Sequence, residues 1–139
     1  MNRVLVFLTL LLVSACTYGA READFARPGG EIVTLDLGAG EVGGELLAVR
    51  ADGLVLRTDA LIEVPWVMIR SASFERIGPI RWPERSKPAP DALERLRLVS
   101  RFPQGLDIDL SRRLLDAYGQ EAFHSCWATT ERVDCRGTR

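Results

Sequence analysis

Four side chains near the C-terminus have the residue types that metal binding and thiol chemistry require. They are His124, Cys126, Asp134 and Cys135, and His124 is the single histidine of the chain. A zinc site would need tetrahedral ligation, but the spacing of these residues matches no common zinc knuckle. A Cys/His nucleophile pair would need an activated thiolate and a third, orienting group, for which Asp134 is the candidate. A thiol or metal site here therefore stands only as an alternative.

The rest of the sequence carries no pattern of catalysis. It has neither a Gly-x-x-x-x-Gly-Lys phosphate loop nor a Gly-x-Ser-x-Gly nucleophile elbow. Glu41 and Glu45 lie four residues apart, but two carboxylates without a pocket signal are weak evidence for acid–base chemistry. The 139 residues carry 18 basic and 19 acidic side chains, whereas a general nucleic-acid binder is strongly basic. We predict no catalytic residue, no metal and no nucleic-acid partner.

Residues 1–15 are predicted to be an export signal. Arg3 supplies a positive charge, residues 4–13 are almost entirely apolar, and the small residues Ser14 and Ala15 close the segment, which is the three-part plan of a secretory signal. As a helix, residues 4–15 would span about 18 Å at 1.5 Å per residue, which is too short for a hydrocarbon core of ~30 Å. A membrane-spanning helix is therefore not expected here.

The end of this segment resembles a bacterial lipobox. Val13-Ser14-Ala15-Cys16 places an apolar residue, two small residues and a cysteine in the lipobox order. The resemblance implies cleavage after Ala15, lipidation of Cys16 and a tether over residues 16–30. Acyl chains contribute about 0.8 kcal/mol per buried CH₂, so two or three chains make membrane attachment permanent. The alternative is ordinary cleavage after Ala15 or Ala20, which leaves Cys16 free.

The lipobox resemblance also implies a location and a cofactor. The protein would be an exported, membrane-anchored, periplasm-facing lipoprotein whose only cofactor is the covalent lipid on Cys16. Thr17 follows the cysteine, which favours the outer membrane in a Gram-negative source.

Lipidation of one cysteine changes the interpretation of the other two. With Cys16 lipidated, Cys126 and Cys135 remain as an even pair in an oxidising compartment, which favours a disulfide. A bridge across the eight intervening residues would contribute about 2.5–3 kcal/mol through chain entropy. Residues 120–139 are therefore predicted to be a disulfide-containing tail. The alternative is the thiol or metal site at His124, Cys126 and Cys135.

Residues 31–77 have the pattern of a small β-domain. Apolar residues alternate in short runs separated by turn residues such as Asp52-Gly53, and Gly43-Gly44 predicts a bulge or bend in the second strand. The apolar face of the first strand consists of Val33, Leu35 and Leu37. The pattern resembles the SH3-like and Sm-like small β-barrels, which implies an α+β protein whose core is a five-stranded barrel.

Two aromatic residues in the barrel segment are candidates for a ligand-binding face. Trp66 and Phe74 would stack on a small ligand or a cell-wall glycan if they were exposed. We favour the other interpretation, in which both fill the core, because this is the commoner position for aromatic residues in a small barrel.

Arg81 and Arg85 complete the candidate binding surface. They lie in residues 78–90, where four prolines predict a linker. Residues 76–101 hold seven basic and three acidic side chains, a charge suited to anionic lipid headgroups or cell-wall carboxylates. The alternative is a solvated linker whose arginines balance the acidic barrel.

Residues 91–119 are predicted to form a helical hairpin of two short amphipathic helices. The first begins at Asp91 and the second runs from Asp107 to Gly119. Helices of this length must pack on each other, on the barrel or on a partner. This segment resembles an arrangement in uncharacterised bacterial lipoproteins, in which two helices are joined by Arg-Phe-Pro-Gln-Gly-Leu and followed by Tyr-Gly-Gln. The resemblance implies no activity.

Taken together, these features predict a lipid-anchored cell-envelope protein. We expect a non-enzymatic protein-binding or assembly module with an envelope protein as its partner. The alternative is a small-ligand or glycan binder that uses the barrel face around Trp66 and Phe74.

Overall fold

The computed structural model describes residues 29–81, 83–129 and 131–136. The predicted signal segment, Cys16 and most of the predicted tether lie outside these residues. The elements in chain order are β1 (Ile32–Asp36), β2 (Glu41–Val49), β3 (Gly53–Arg57), β4 (Leu61–Pro65), a 3₁₀ turn (Trp66–Met68), β5 (Ser71–Phe74), α1 (Pro90–Val99), α2 (Ile108–Tyr118), β6 (His124–Ser125), β7 (Trp127–Ala128) and β8 (Val133–Asp134).

The predicted α+β class is confirmed, but the sheet differs from a closed five-stranded barrel. Six strands form a mixed sheet in the order β5-β1-β2-β3-β4-β6, and β7 pairs separately with β8. Strand β6 runs parallel to β4, with Ile62 opposite His124. Since β3 and β6 occupy the two edges of β4, β5 has no edge of β4 to pair with. Among the described strands the sheet therefore stays open.

The side chain of Gln120 joins the C-terminal tail to this sheet. Its Oε1 accepts a hydrogen bond from the backbone N–H of Leu61 at 2.7 Å, and its Nε2 donates to the carbonyl of the same residue at 3.1 Å. The N–H of Cys126 then donates to the carbonyl of Glu63 at 2.9 Å. The amide group of Gln120 thus extends the backbone pairing of β4 ahead of β6.

An irregularity in β2 divides the apolar residues between the two faces of the sheet. The predicted bulge at Gly43-Gly44 is wrong, because both residues pair in regular register with β1. The register shifts between Leu46 and Ala48 instead. Since a bulge interrupts the alternation of side chains, Leu47 and Ala48 face the same side.

The two helices cover opposite faces of the sheet rather than forming a hairpin. One face, with residues such as Leu35, Leu54 and Val64, packs against Ala92, Leu93 and Leu96 of α1 in the first core. The other face contributes Leu47, Ala48, Val55 and Leu61, which pack against Leu114 of α2 in the second core. An amphipathic stripe specifies that a helix must be covered, but not by which surface.

Two residues, Asp107 and Gly119, fix the ends of α2. Asp107 accepts a hydrogen bond from the N–H of Leu110 at 2.7 Å, so it caps α2 as the sequence predicts. Gly119 ends α2 with a φ of 62°, a conformation in which glycine carries no steric cost. None of the described helices has the length and apolar character needed to cross a bilayer.

The proline-containing segment between β5 and α1 packs against the sheet. Ile80 is 5% exposed and belongs to the first core, and Pro88 is buried. The N–H of Arg85 donates to the carbonyl of Ile69 at 2.7 Å. Residues 78–90, which the prolines predict to be a linker, are therefore packed against the fold.

Candidate ligand cleft

An open cleft of about 470 Å³ lies at the end of the sheet where β1 turns into β2. Its walls come from four parts of the chain: the β1–β2 turn, the 3₁₀ turn with the residues after it, the proline-containing segment and the end of β7. The lining residues are Leu37, Gly38, Ala39, Val67, Met68, Arg70, Arg85, Ala128 and Thr129. We call this space the main cleft.

The β1–β2 turn forms one fixed wall and positions Arg70. The carboxylate of Asp36 accepts the N–H of Gly38 at 2.7 Å, and the N–H of Leu37 donates to the carbonyl of Gly40 at 2.9 Å. Gly38 has a φ of 86°, and a Cβ placed there would lie 2.6 Å from Nε of Arg70. Glycine thus permits both the left-handed turn and the close approach of the guanidinium.

The 3₁₀ turn buries Trp66 and exposes Val67. Trp66 is 4% exposed within the first core, and its Nε1 donates to the carbonyl of Ala51 at 3.1 Å. Trp66 therefore occupies the core, as the favoured interpretation predicts, and it does not form a ligand-binding face. Val67, the next residue, is 66% exposed and places an apolar side chain on the wall of the main cleft.

The structure brings together the two predicted arginines and one that the sequence prediction missed. Arg70 also lines a second cleft of about 340 Å³ together with Arg81 and residues of β5. Phe74 is partly buried against the first core and lines neither cleft. Arg70 directly follows the five apolar residues 65–69, and this position is the signal in the sequence that could have identified it as a cleft residue.

Arg85 is held in an unusual backbone conformation. Its φ is 54°, and it is the one residue other than glycine with positive φ among those described. Such a conformation costs about 1–2 kcal/mol for an L-residue with a Cβ. Together with the hydrogen bond from its N–H to Ile69, this fixes where the Arg85 side chain leaves the backbone.

The alternative thiol or metal site does not form, because the two cysteines of the tail form a disulfide. Cys126 and Cys135 are bonded, as the favoured interpretation predicted, and Cys126 is buried in the first core. His124 and Cys135 border a separate open cleft of about 480 Å³. Among the residues with described positions, no three His, Cys, Asp or Glu side chains lie together as metal ligands.

The carboxylate of Glu45 is buried in a structural ion cluster. It is 2% exposed, and its Oε1 accepts the N–H groups of Gly29 and Gly30 at 2.6 and 2.8 Å. Arg101 Nη1 lies 3.1 Å from Oε1, and Arg57 Nε lies 2.7 Å from Oε2 in an ion pair without hydrogen-bond alignment. Glu41 is exposed, so Glu41 and Glu45 form no acid–base pair.

A second buried glutamate fixes the start of β1. Glu31 is 1% exposed, and its Oε2 accepts Nε of Arg76 at 2.9 Å. Its N–H donates to the carbonyl of Val99 at 2.9 Å, which connects this point to the end of α1. The chain therefore enters the fold at a rigid point, at the opposite end of β1 from the main cleft.

The comparisons with known proteins leave the site as the main guide to function. No protein-family model matches the chain, and neither the curated proteins nor the solved structures include a significant match.

Proposed function

We propose that this protein is a lipid-anchored cell-envelope protein that binds another envelope protein through the main cleft and has no enzymatic activity of its own. The observation that carries the proposal is the cleft itself, which combines an exposed apolar residue, Val67, with Arg70 and Arg85, neither of which pairs with a carboxylate of the residues that the structure describes. The buried Glu31 and Glu45 are engaged by backbone N–H groups and arginines. They serve the fold rather than a reaction.

The order of the strands supports a binding role for this domain. Strands β5-β1-β2-β3-β4 are consecutive neighbours, and a 3₁₀ turn separates β4 from β5. This arrangement is similar to that of SH3-like and Sm-like barrels, although here β6 occupies the edge of β4. Small barrels of this kind commonly bind peptides, but a fold alone does not assign a function.

The attachment point of the predicted tether is compatible with an accessible cleft. Gly30 precedes β1 and Leu37 follows it, and a five-residue strand is about 17 Å long. Thirteen residues from Thr17 to Gly29 reach at most about 45 Å when extended. A lipid on Cys16 would therefore hold the domain near a membrane from the end of β1 that lies away from the main cleft.

Photo-crosslinking in cells tests the binding role. A photoreactive phenylalanine analogue replaces Val67 in one strain and Ile108 in a control strain, since Ile108 is 79% exposed at the start of α2. We expect a discrete adduct with one membrane-fraction protein from position 67 and none from position 108. Equal adduct patterns at both positions, or no adduct at position 67, would refute the use of the cleft.

Metabolic labelling tests the anchor separately. Cells grown with an alkyne analogue of palmitate should label the wild-type chain and not Cys16→Ala. We also expect the adduct at position 67 to be lost in Cys16→Ala, because the unanchored protein no longer meets its partner at the membrane. An unlabelled wild-type chain would remove the lipid anchor from the proposal.

A further inference from the structure

Three arginines surround the two clefts that share Arg70. Arg70 and Arg85 line the main cleft, and Arg70 and Arg81 line the second. Within the described parts of the chain, none of the three lies within ion-pair distance of a carboxylate. The arginines that do pair with a carboxylate are Arg50, Arg57, Arg76, Arg97, Arg101, Arg112, Arg132 and Arg136.

The backbone holds these three arginines in place before any ligand arrives. Arg70 follows the buried Ile69 and lies against Gly38. Arg81 follows Ile80, whose side chain is anchored in the first core. Arg85 is fixed by its positive φ and its hydrogen bond to Ile69. A ligand therefore has to order the exposed arginine side chains but not the backbone that carries them.

The shape and polarity of the surface favour an extended chain. The two clefts measure about 470 and 340 Å³ and share Arg70 as a lining residue. Val67 adds an exposed apolar contact, and β5 is the edge strand on this side of the sheet. An extended segment gains from this combination of apolar contact, charge and strand edge. A flat bilayer surface cannot follow two concave clefts.

We propose that the surface formed by Arg70, Arg81, Arg85 and Val67 binds an extended acidic peptide segment. Carboxylates of the peptide pair with the three arginines, and an apolar side chain of the peptide packs against Val67. The inference rests on the proposed function, because it assigns the chemistry of the envelope partner that the main cleft would hold.

Selection from a random peptide library tests the charge of the ligand directly. The full chain, purified in detergent, is used to select from displayed random 12-residue peptides, beside the variant R70Q/R81Q/R85Q. The control variant R95Q/R112Q/R113Q also removes three positive charges, but from exposed helix positions that line neither cleft. We expect Asp and Glu to be enriched among peptides selected by the wild type and the control, and not by R70Q/R81Q/R85Q.

Binding measurements on one selected peptide complete the test. Its affinity should fall about tenfold in R70Q/R81Q/R85Q and after Glu→Gln and Asp→Asn changes in the peptide, and it should weaken from 50 to 200 mM salt. Selection of non-acidic peptides, or equal affinity for the triple variant, would overturn the proposal. Displacement of the peptide by dihexanoyl phosphatidylglycerol at equal concentration would also overturn it, in favour of a lipid headgroup.

The two proposals can fail separately. If the adduct from position 67 forms equally in R70Q/R81Q/R85Q, the cleft binds a partner but the acidic peptide is wrong. If no adduct forms at all, the proposed function itself fails.

Discussion

The buried carboxylate of Glu45 provides the sharpest test of how this fold is held together. Glu45→Gln keeps the shape of the side chain and removes its charge. Arg57 and Arg101, whose side chains are only 11% and 12% exposed, then lose the carboxylate of Glu45. Breaking a buried ion pair by neutralising one partner costs about 3–5 kcal/mol. With a urea dependence of about 2 kcal/mol per molar, the unfolding midpoint should fall by roughly 2 M.

The matched control is Glu63→Gln, which breaks a more exposed pair. Glu63 pairs with Arg50, and the two side chains are 29% and 35% exposed. Since solvent screens such a pair, we expect a loss below about 1 kcal/mol. Urea unfolding followed by circular dichroism measures both variants. Similar losses for Glu45→Gln and Glu63→Gln would refute the assignment of Glu45 as the centre of a buried cluster.

Changing all three members of the cluster separates the cost of unpaired charge from the cost of lost hydrogen bonds. In E45M/R57M/R101M no charge of this cluster stays buried, so stability should recover relative to Glu45→Gln. The remaining deficit includes the N–H groups of Gly29 and Gly30, which lose their acceptor. A triple variant less stable than Glu45→Gln would contradict this account.

Three further changes test other parts of the structure. Gly30→Ala should destabilise the protein by about 1–3 kcal/mol in urea unfolding, because its Cβ would lie 2.3 Å from a carbonyl oxygen of β2; an unchanged midpoint would contradict the tight entry of the chain. Arg85→Gly should be about 0.5–1 kcal/mol more stable than Arg85→Ala in thermal unfolding, because only glycine relieves the positive φ, while both variants should bind the selected acidic peptide equally weakly. The double variant Cys126→Ala/Cys135→Ala removes a disulfide that contributes about 2.6 kcal/mol through chain entropy. Amide hydrogen exchange should become faster in the C-terminal tail. Equally faster exchange across β1–β4 would instead mean that the disulfide stabilises the whole domain.

Local signals in the sequence predicted the local structure of this protein. The alternation in β1 and the ends of α2 at Asp107 and Gly119 are confirmed by the structure. The hairpin predicted at Asp52-Gly53 forms between β2 and β3, but Gly53 is the first residue of β3, where it pairs with Arg50, and it has no positive φ. Each depends on residues a few positions apart, so a short window of sequence contains the physical cause. The disulfide was predicted for a different reason, because Cys126 and Cys135 remain as an even pair in an exported protein once Cys16 is lipidated.

Long-range pairing explains where the sequence prediction fails. The barrel stays open because Gln120 and β6 occupy the edge of β4, about sixty positions away along the chain, and nothing in residues 31–77 indicates that competitor. The helices separate onto two faces because Leu47 and Ala48, at the irregularity in β2, join Val55 and Leu61 in a second apolar surface that α2 covers. In both cases the local pattern is correct and the choice of partner is decided elsewhere.

The sequence allowed two interpretations of the positive charge in residues 76–101, namely that it balances acidic residues of the sheet or that it binds an anionic ligand. These two interpretations concern different arginines. At the two ends of this segment, Arg76 pairs with Glu31 and Arg101 pairs with Glu45, so these two arginines balance buried acids of the sheet. Between them, Arg81 and Arg85 have no carboxylate partner among the described residues and border the two clefts. Since buried acids already fix the ends of the segment, charge changes at its centre should alter binding while leaving the stability of the fold nearly unchanged.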